Sequence, residues 1–225
     1  MRISTLVPVA IALGVYAATA TVAFAEPVTE PATGFTFDSD KTIGGKSYTL
    51  VGAGVRKKFF VKVYAMGLYV DTTDGKRAFS SLATKAGGSD QAHLVAGDKA
   101  GSFVVWGQFD KLAILHFVRD VGAEKVREAF TEGLGEELSD KAPADVREAA
   151  TSFLKLIDRD LKSGDDLVLH TDTSGHLEVS IAGQNKGSVQ NAKLARALWN
   201  VYLGGKPPTK ELKTELTNRI SALGN

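Results

Sequence analysis

Arg56 and Tyr64 are the side chains of this sequence whose chemistry most needs an explanation, because both lie inside the run LVGAGVRKKFFVKVYAMGLYV at residues 50–70. An arginine is permanently charged and offers five N–H donors in a planar fork; a tyrosine adds one hydroxyl donor. Together they suit a carboxylate, which takes two parallel hydrogen bonds from the guanidinium and a third from the phenol. The same pair would suit an enzyme, with Arg56 stabilising an oxyanion as it develops and Tyr64 donating or relaying a proton. In a dry cleft an unpaired guanidinium is costly, so an anionic partner is expected there. Phe60 and Met66, with Val51, Val61 and Leu68, are the nearby apolar side chains to line a tunnel for the rest of a ligand. At about 0.8 kcal/mol per buried CH₂, an acyl chain would supply most of the affinity and the Arg–Tyr pair the orientation.

The spacing makes a geometric demand. Arg56 and Tyr64 are separated by an even number of residues, so one straight strand would put both on one face but roughly 26 Å apart. That is too far to share a carboxylate. A bend or tight hairpin across Lys57–Phe60 must intervene, although no Gly, Asn or Pro marks a turn there. Without a bend the run reads differently. Arg56, Lys58 and Lys62 then form a solvated face, and Val55, Phe59, Val61 and Val63 a buried one. Lys57, Lys58 and Lys62 read as surface charge in either case.

Other constellations are weaker. The four histidines are His93, His116, His170 and His176. His170 and His176 flank a turn, but two histidines without a third ligand make a poor zinc site. His116, beside Phe117, reads as a core histidine or a general base in a cleft. There is no G-x-S-x-G elbow and no phosphate-binding G-x-x-x-x-G-K-[ST] loop. Glu136, Glu137, Asp140 and Asp145 read as solvated helix ends, and Leu198, Trp199 and Tyr202 as core or as a cleft wall. No metal and no cofactor is implied.

The elements that must position Arg56 and Tyr64 follow from pattern. Phe35–Phe37, Tyr48–Val55, Phe59–Val70 and Lys111–Arg119 read as strands, with Gly44-Gly45 as a turn. A short helix starting at Thr73 or Asp74 ends at Gly87-Gly88. Val126, Ala129, Phe130 and Leu134 lie at helical spacing, as do Val146 to Leu161, bounded by Pro143 and Gly164. DLVLHTDTSG returning as HLEVSIAG is a hairpin. Two helices close the chain, one over VQNAKLARALWNVYLGG and one from Thr209 to Leu223. Strands and helices in runs indicate α+β, with helices packed on one face of a large, mainly antiparallel sheet.

The first 25 residues read as a signal peptide: Arg2, an apolar run from Leu6 to Val22, and Ala23-Phe24-Ala25 as the cleavage site. Cleavage after Ala25 implies a periplasmic or secreted protein with no integral membrane segment. Residues 26–34 read as a flexible lead-in and 35–225 as one domain. Without the leader, basic and acidic residues balance at 26 each, which gives no general attraction to nucleic acid or to an anionic membrane. The sequence contains no cysteine, which removes disulfides, thiolate metal sites and thiol nucleophiles.

GAGVRKK followed by VKVYAMGLYV resembles the signature segment of the chalcone isomerase family and its non-catalytic relatives. DKLAILHFVRDVGAEKVREAF, TSGHLEVSIAG and KLARALWNVYLGGKPPTKELKTEL extend the resemblance to roughly residues 35–220. It implies an open-faced β-sandwich with a ligand cleft between sheet and helices, and it assigns Arg56 the central role in that cleft. Catalytic members close a flavanone ring by attack of a phenolate oxygen on an enone; fatty-acid-binding members keep the cleft and do no known chemistry. Tyr64 matches the fatty-acid-binding members, where catalytic ones have threonine. The catalytic tyrosine and asparagine fall near Gly122 and Ala129, neither of which has a side-chain donor. The resemblance therefore implies binding of a small amphipathic anion such as a fatty acid. An isomerase acting on an enone, and an envelope interaction protein with a vestigial cleft, remain the alternatives.

Overall fold

Strand-favouring runs around Tyr48–Val70 and Lys111–Phe117, with the hairpin that follows residue 165, become one large sheet in the computed structural model, which describes residues 26–85 and 98–224. Seven antiparallel strands lie side by side in chain order: β3 (Asp40–Ile43), β4 (Lys46–Lys58), β5 (Val61–Asp71), β6 (Lys111–Phe117), β7 (Asp166–Thr171), β8 (His176–Ile181) and β9 (Gln184–Gln190). Two short strands, β1 (Val28–Thr29) and β2 (Thr36–Phe37), pair with each other. The helices are α1 (Thr72–Lys85), α2 (Asp98–Trp106), α3 (Ala123–Gly133), α4 (Ala144–Leu156), α5 (Ala192–Leu203) and α6 (Lys210–Glu215), followed by a 3₁₀ turn at Ile220–Gly224. The fold is the α+β arrangement expected. The leader at residues 1–25 and the helix end at Gly87-Gly88 lie outside the described residues, and among those described no helix is long and apolar enough to cross a membrane.

Period-2 patterning gives the sheet two apolar faces. Val51, Met66, Leu68, Val70 and Phe117 face the helices and pack with Phe153, Leu198, Trp199 and Tyr202 in the main core. Tyr48, Leu50, Ala65, Tyr69, Leu112 and Ile114 face the other way, around Phe37. Residues 26–34, expected to be a flexible lead-in, are built into that second face. Glu30 is buried and accepts hydrogen bonds from the Ala32 and Thr33 amides (2.9 and 2.7 Å), closing the turn between β1 and β2. His116 lies on this second face as well, stacked on Phe35 and bonded through Nδ1 to Asp166 (2.8 Å). It therefore points away from the helices and the space between the layers. His170 pairs across the sheet with Glu178 and meets the Tyr48 hydroxyl at 2.8 Å, while His176 pairs with Gln190. The two do not form a site, and no group of metal ligands occurs among the described residues.

Two boundaries depart from the pattern, each for a tertiary reason. The helix expected to run to Gly164 ends at Leu156, because Ile157 and Leu161 turn inward and Leu161 bridges Val121. Asp160 then caps α3 by accepting from the Ala123 amide (2.9 Å). The last helix is split after Glu215, where the chain docks on β4 and the Arg219 amide donates to Val51 O (2.9 Å). Strand β9, polar and glycine-containing, carries little apolar signal and was not expected.

Lys111 opens β6 with its ammonium inside the protein, 7 % exposed, donating to Gly107 O and Phe109 O (2.8 and 3.0 Å) over the Phe109 ring. Burial pushes its pKa down from 10.5 to about 8, partly offset by Asp110. The unfolded chain thus binds more protons here than the folded one between these values, so stability rises with pH through that window. We expect about 2 kcal/mol of gain between pH 8 and 10 in urea unfolding. Lys111→Met should flatten that rise; an unchanged slope would show that the ammonium is not the cause. Above pH 10 the buried Tyr48 and Tyr69, whose pKa values are raised by burial, reverse the trend.

Candidate functional site

β4 and β5 form a hairpin with Phe59 and Phe60 as its two loop residues, closed by the pair Lys58 and Val61. This is the bend that the spacing of Arg56 and Tyr64 demands. Phe59 takes a positive φ of 57°, at the first loop position where a glycine is usual, which explains why the composition gave no turn signal. One register shift, between Arg56 and Lys57, then places Arg56 directly opposite Tyr64. Directly opposed residues share a face with their Cβ atoms roughly 5 Å apart. The face is the one covered by helices: Tyr64 packs against Phe117 and donates to the Tyr202 hydroxyl of α5 at 3.5 Å.

The glycines of the GAGVR segment explain what lies over Arg56. Gly52, Gly54 and Arg56 share one face of β4, opposite Leu68, Met66 and Tyr64. A Cβ on Gly52 would stand 2.2 Å from the Leu216 carbonyl carbon, and one on Gly54 would stand 2.7 Å from the Glu215 Cβ. The C-terminal segment therefore lies directly on the strand backbone. That approach forms a groove of about 490 Å³ at the mouth of the space between the layers, walled by Val55, Arg56, Lys57, Lys58 and Phe59 on the hairpin and by Pro208, Thr209, Glu211 and Glu215 opposite.

Within it the Arg56 guanidinium meets only carbonyl oxygens, those of Lys57 and Pro208 (3.4 Å), and no carboxylate of the described residues pairs with it. Glu215 is committed elsewhere: it accepts from the Val55 amide at 3.2 Å, and burial raises its pKa. Burial also raises the pKa values of Tyr64 and Tyr202, opposed by the Arg56 charge. Both phenols thus remain protonated donors across the neutral range. The site is a half-open groove lined by three cations, Arg56, Lys57 and Lys58, and two carboxylates, Glu211 and Glu215, with the Tyr64–Tyr202 pair opposite Arg56 but outside the groove lining.

Of the residues singled out from sequence, Arg56 and Tyr64 are brought together. Met66 is fully buried in the main core, two residues beyond Tyr64 on the same face. Phe60 stands at the hairpin tip, 99 % exposed, and does not line the groove. Val61 and Phe59, the buried members of the straight-strand reading, are likewise exposed, because the chain turns there. Tyr202 was visible as part of an apolar helix patch; Pro208, Thr209 and Glu215 carried no sequence signal beyond the helix stop at Pro207-Pro208. Gly122, the N-cap of α3, and Ala129 within it bring no side-chain donor.

A seven-strand antiparallel meander backed by helices is the open-faced α+β architecture. The chain belongs to the chalcone isomerase-like family, whose model matches residues 46–217. Among curated proteins it is similar to fatty-acid-binding protein 1 of Arabidopsis thaliana, 29 % identical over 211 residues that span 88 % of this chain and 72 % of that protein. Among solved structures it is similar to the crystal structure of an Arabidopsis thaliana fatty-acid-binding protein, with a TM-score of 0.71, 27 % identity, and coverage of 88 % of this chain and 99 % of that one.

Proposed function

We propose that this protein binds the carboxylate of a fatty acid or similar amphipathic anion, without chemistry, at the groove anchored by Arg56 and Tyr64. The observation that carries the reading is a guanidinium held in a partly buried groove with a tyrosine opposite and no carboxylate partner among the described residues. Desolvated cations are answered by anions, and an arginine fork matches a carboxylate bidentately. The Arabidopsis relatives, named for fatty-acid binding, support the ligand class. Val55, Phe59 and Pro208 offer apolar contact beside the cation for the first part of the chain.

Titration of a long-chain fatty acid against its methyl ester tests the reading. The ester keeps the acyl chain and loses the charge, so the acid should bind at least about tenfold tighter, the worth of one charge-assisted hydrogen bond. Equal affinities would show that Arg56 does not read a carboxylate.

A further inference from the structure

We propose that the β4–β5 hairpin tip is a docking finger for an anionic lipid surface. Among the described residues, the exposed large apolar side chains include Ile43, Leu82 and Trp106 at scattered positions, and a consecutive trio at this turn: Phe59 (88 % exposed), Phe60 (99 %) and Val61 (43 %). The trio is bracketed by Lys57, Lys58 and Lys62, so six successive residues hold three cations, three apolar side chains and no acid. An apolar tip ringed by lysines is complementary to a bilayer: rings enter the headgroup region while the ammonium groups stay with lipid phosphates. A protein groove would have to supply both an apolar socket and a ring of acids.

The backbone supports this placement. The last residue of β5 paired with β6 is Tyr64, so Lys57–Lys62 projects beyond the neighbouring strand. Lys62 is held by the Ala32 carbonyl, and Lys58 has no hydrogen-bond or ion-pair partner among the described residues. Phe59 occupies a left-handed conformation that an asparagine or glycine would adopt more readily. A left-handed, 88 % exposed phenylalanine at this turn gains little packing in the folded chain to offset its backbone cost, which points to a role outside the core. The finger also forms one wall of the groove, through Lys57, Lys58 and Phe59. Docking would therefore set the groove mouth at the lipid surface, but it does not depend on what the groove binds.

The absence of cysteine allows a single reporter. Val61→Cys in the full-length chain, carrying an environment-sensitive fluorophore, is mixed with phosphatidylcholine vesicles with and without phosphatidylglycerol. The same label at Thr173→Cys, in the β7–β8 turn at the opposite end of the sheet, is the control. The expected result is a blue shift at position 61 alone, with phosphatidylglycerol vesicles, weakened by salt. Phe59→Asn with Phe60→Ser should reduce vesicle affinity roughly tenfold or more, and each Lys→Gln change among the three lysines by roughly fivefold. No shift, an equal shift at position 173, or a shift that survives loss of both phenylalanines would overturn the proposal. So would vesicle-free dimerisation, seen by ultracentrifugation, that disappears with the same two substitutions, since the tip's partner would then be a second copy of the chain.

Discussion

Gly52→Val is expected to unfold the protein or to remove most of its stability. A Cβ at this position would stand 2.2 Å from the Leu216 carbonyl carbon, 2.3 Å from its oxygen and 2.4 Å from the Glu215 oxygen. All three are backbone atoms, so no rotamer change relieves the clash. The segment cannot simply lift away, because Leu212, Leu216, Ile220 and Leu223 are buried in the main core and the Arg219 amide is bonded to Val51 O. Overpacking of a tight core costs about 1–3 kcal/mol for an added methylene, and backbone contact this close belongs at or above the top of that range. Gly52→Ala should lose about 3 kcal/mol in urea unfolding and Gly52→Val more. Gly205→Ala, where a Cβ meets nothing within 4 Å, should stay within about 0.5 kcal/mol of the parent. A Gly52→Ala protein as stable as the parent would mean that the C-terminal segment does not lie on β4. The wall of the groove formed by Pro208 and Glu215 would then have no support.

Arg56→Ala is the second large effect, and it falls on binding rather than on folding. The side chain is only partly buried and meets two carbonyl oxygens, so its removal leaves no buried charge behind. Stability should change by no more than about 1 kcal/mol. A carboxylate, by contrast, would lose two charge-assisted hydrogen bonds and the guanidinium fork, which Lys57 and Lys58 on the same wall cannot replace as point charges. At about 1.5–3 kcal/mol per such bond, fatty-acid affinity should fall by a factor on the order of 10² or more. Tyr64→Phe removes one donor and should cost about tenfold. The loss should not be recovered in Arg56→Lys, because a point charge cannot reproduce the fork. Unaltered affinity in Arg56→Ala would place the ligand elsewhere.

Much of this was legible in the sequence, and what was not has identifiable causes. Apolar, strand-favouring runs over Tyr48–Val55 and Lys111–Phe117 showed strands, because a strand buried on both faces reads as a continuous apolar run. Arg56 and Tyr64 stood out because a guanidinium inside such a run demands a reason. Their even spacing even required a bend. The turn itself was hidden, since Phe59 adopts a left-handed conformation that residue type would not suggest, and the register shift beside Arg56 that completes the pairing leaves no compositional trace. The far wall of the groove was hidden for another reason. Pro208 and Glu215 face the Arg56 hairpin across the groove only because Gly52 and Gly54 let a segment about 160 residues away in sequence lie on β4, and a glycine says that something comes close without saying what. The early end of α4 and the break after Glu215 are likewise contacts across the fold rather than local preferences.

The most direct test of carboxylate binding at Arg56 is mass spectrometry of an organic extract of the natively purified protein, beside Arg56→Ala prepared identically. The prediction is a fatty acid or related amphipathic carboxylate, near-stoichiometric with the parent protein and lost from the variant. A parent protein that carries no such molecule and takes up none when fatty acid is supplied, or a variant that retains as much as the parent, would contradict it.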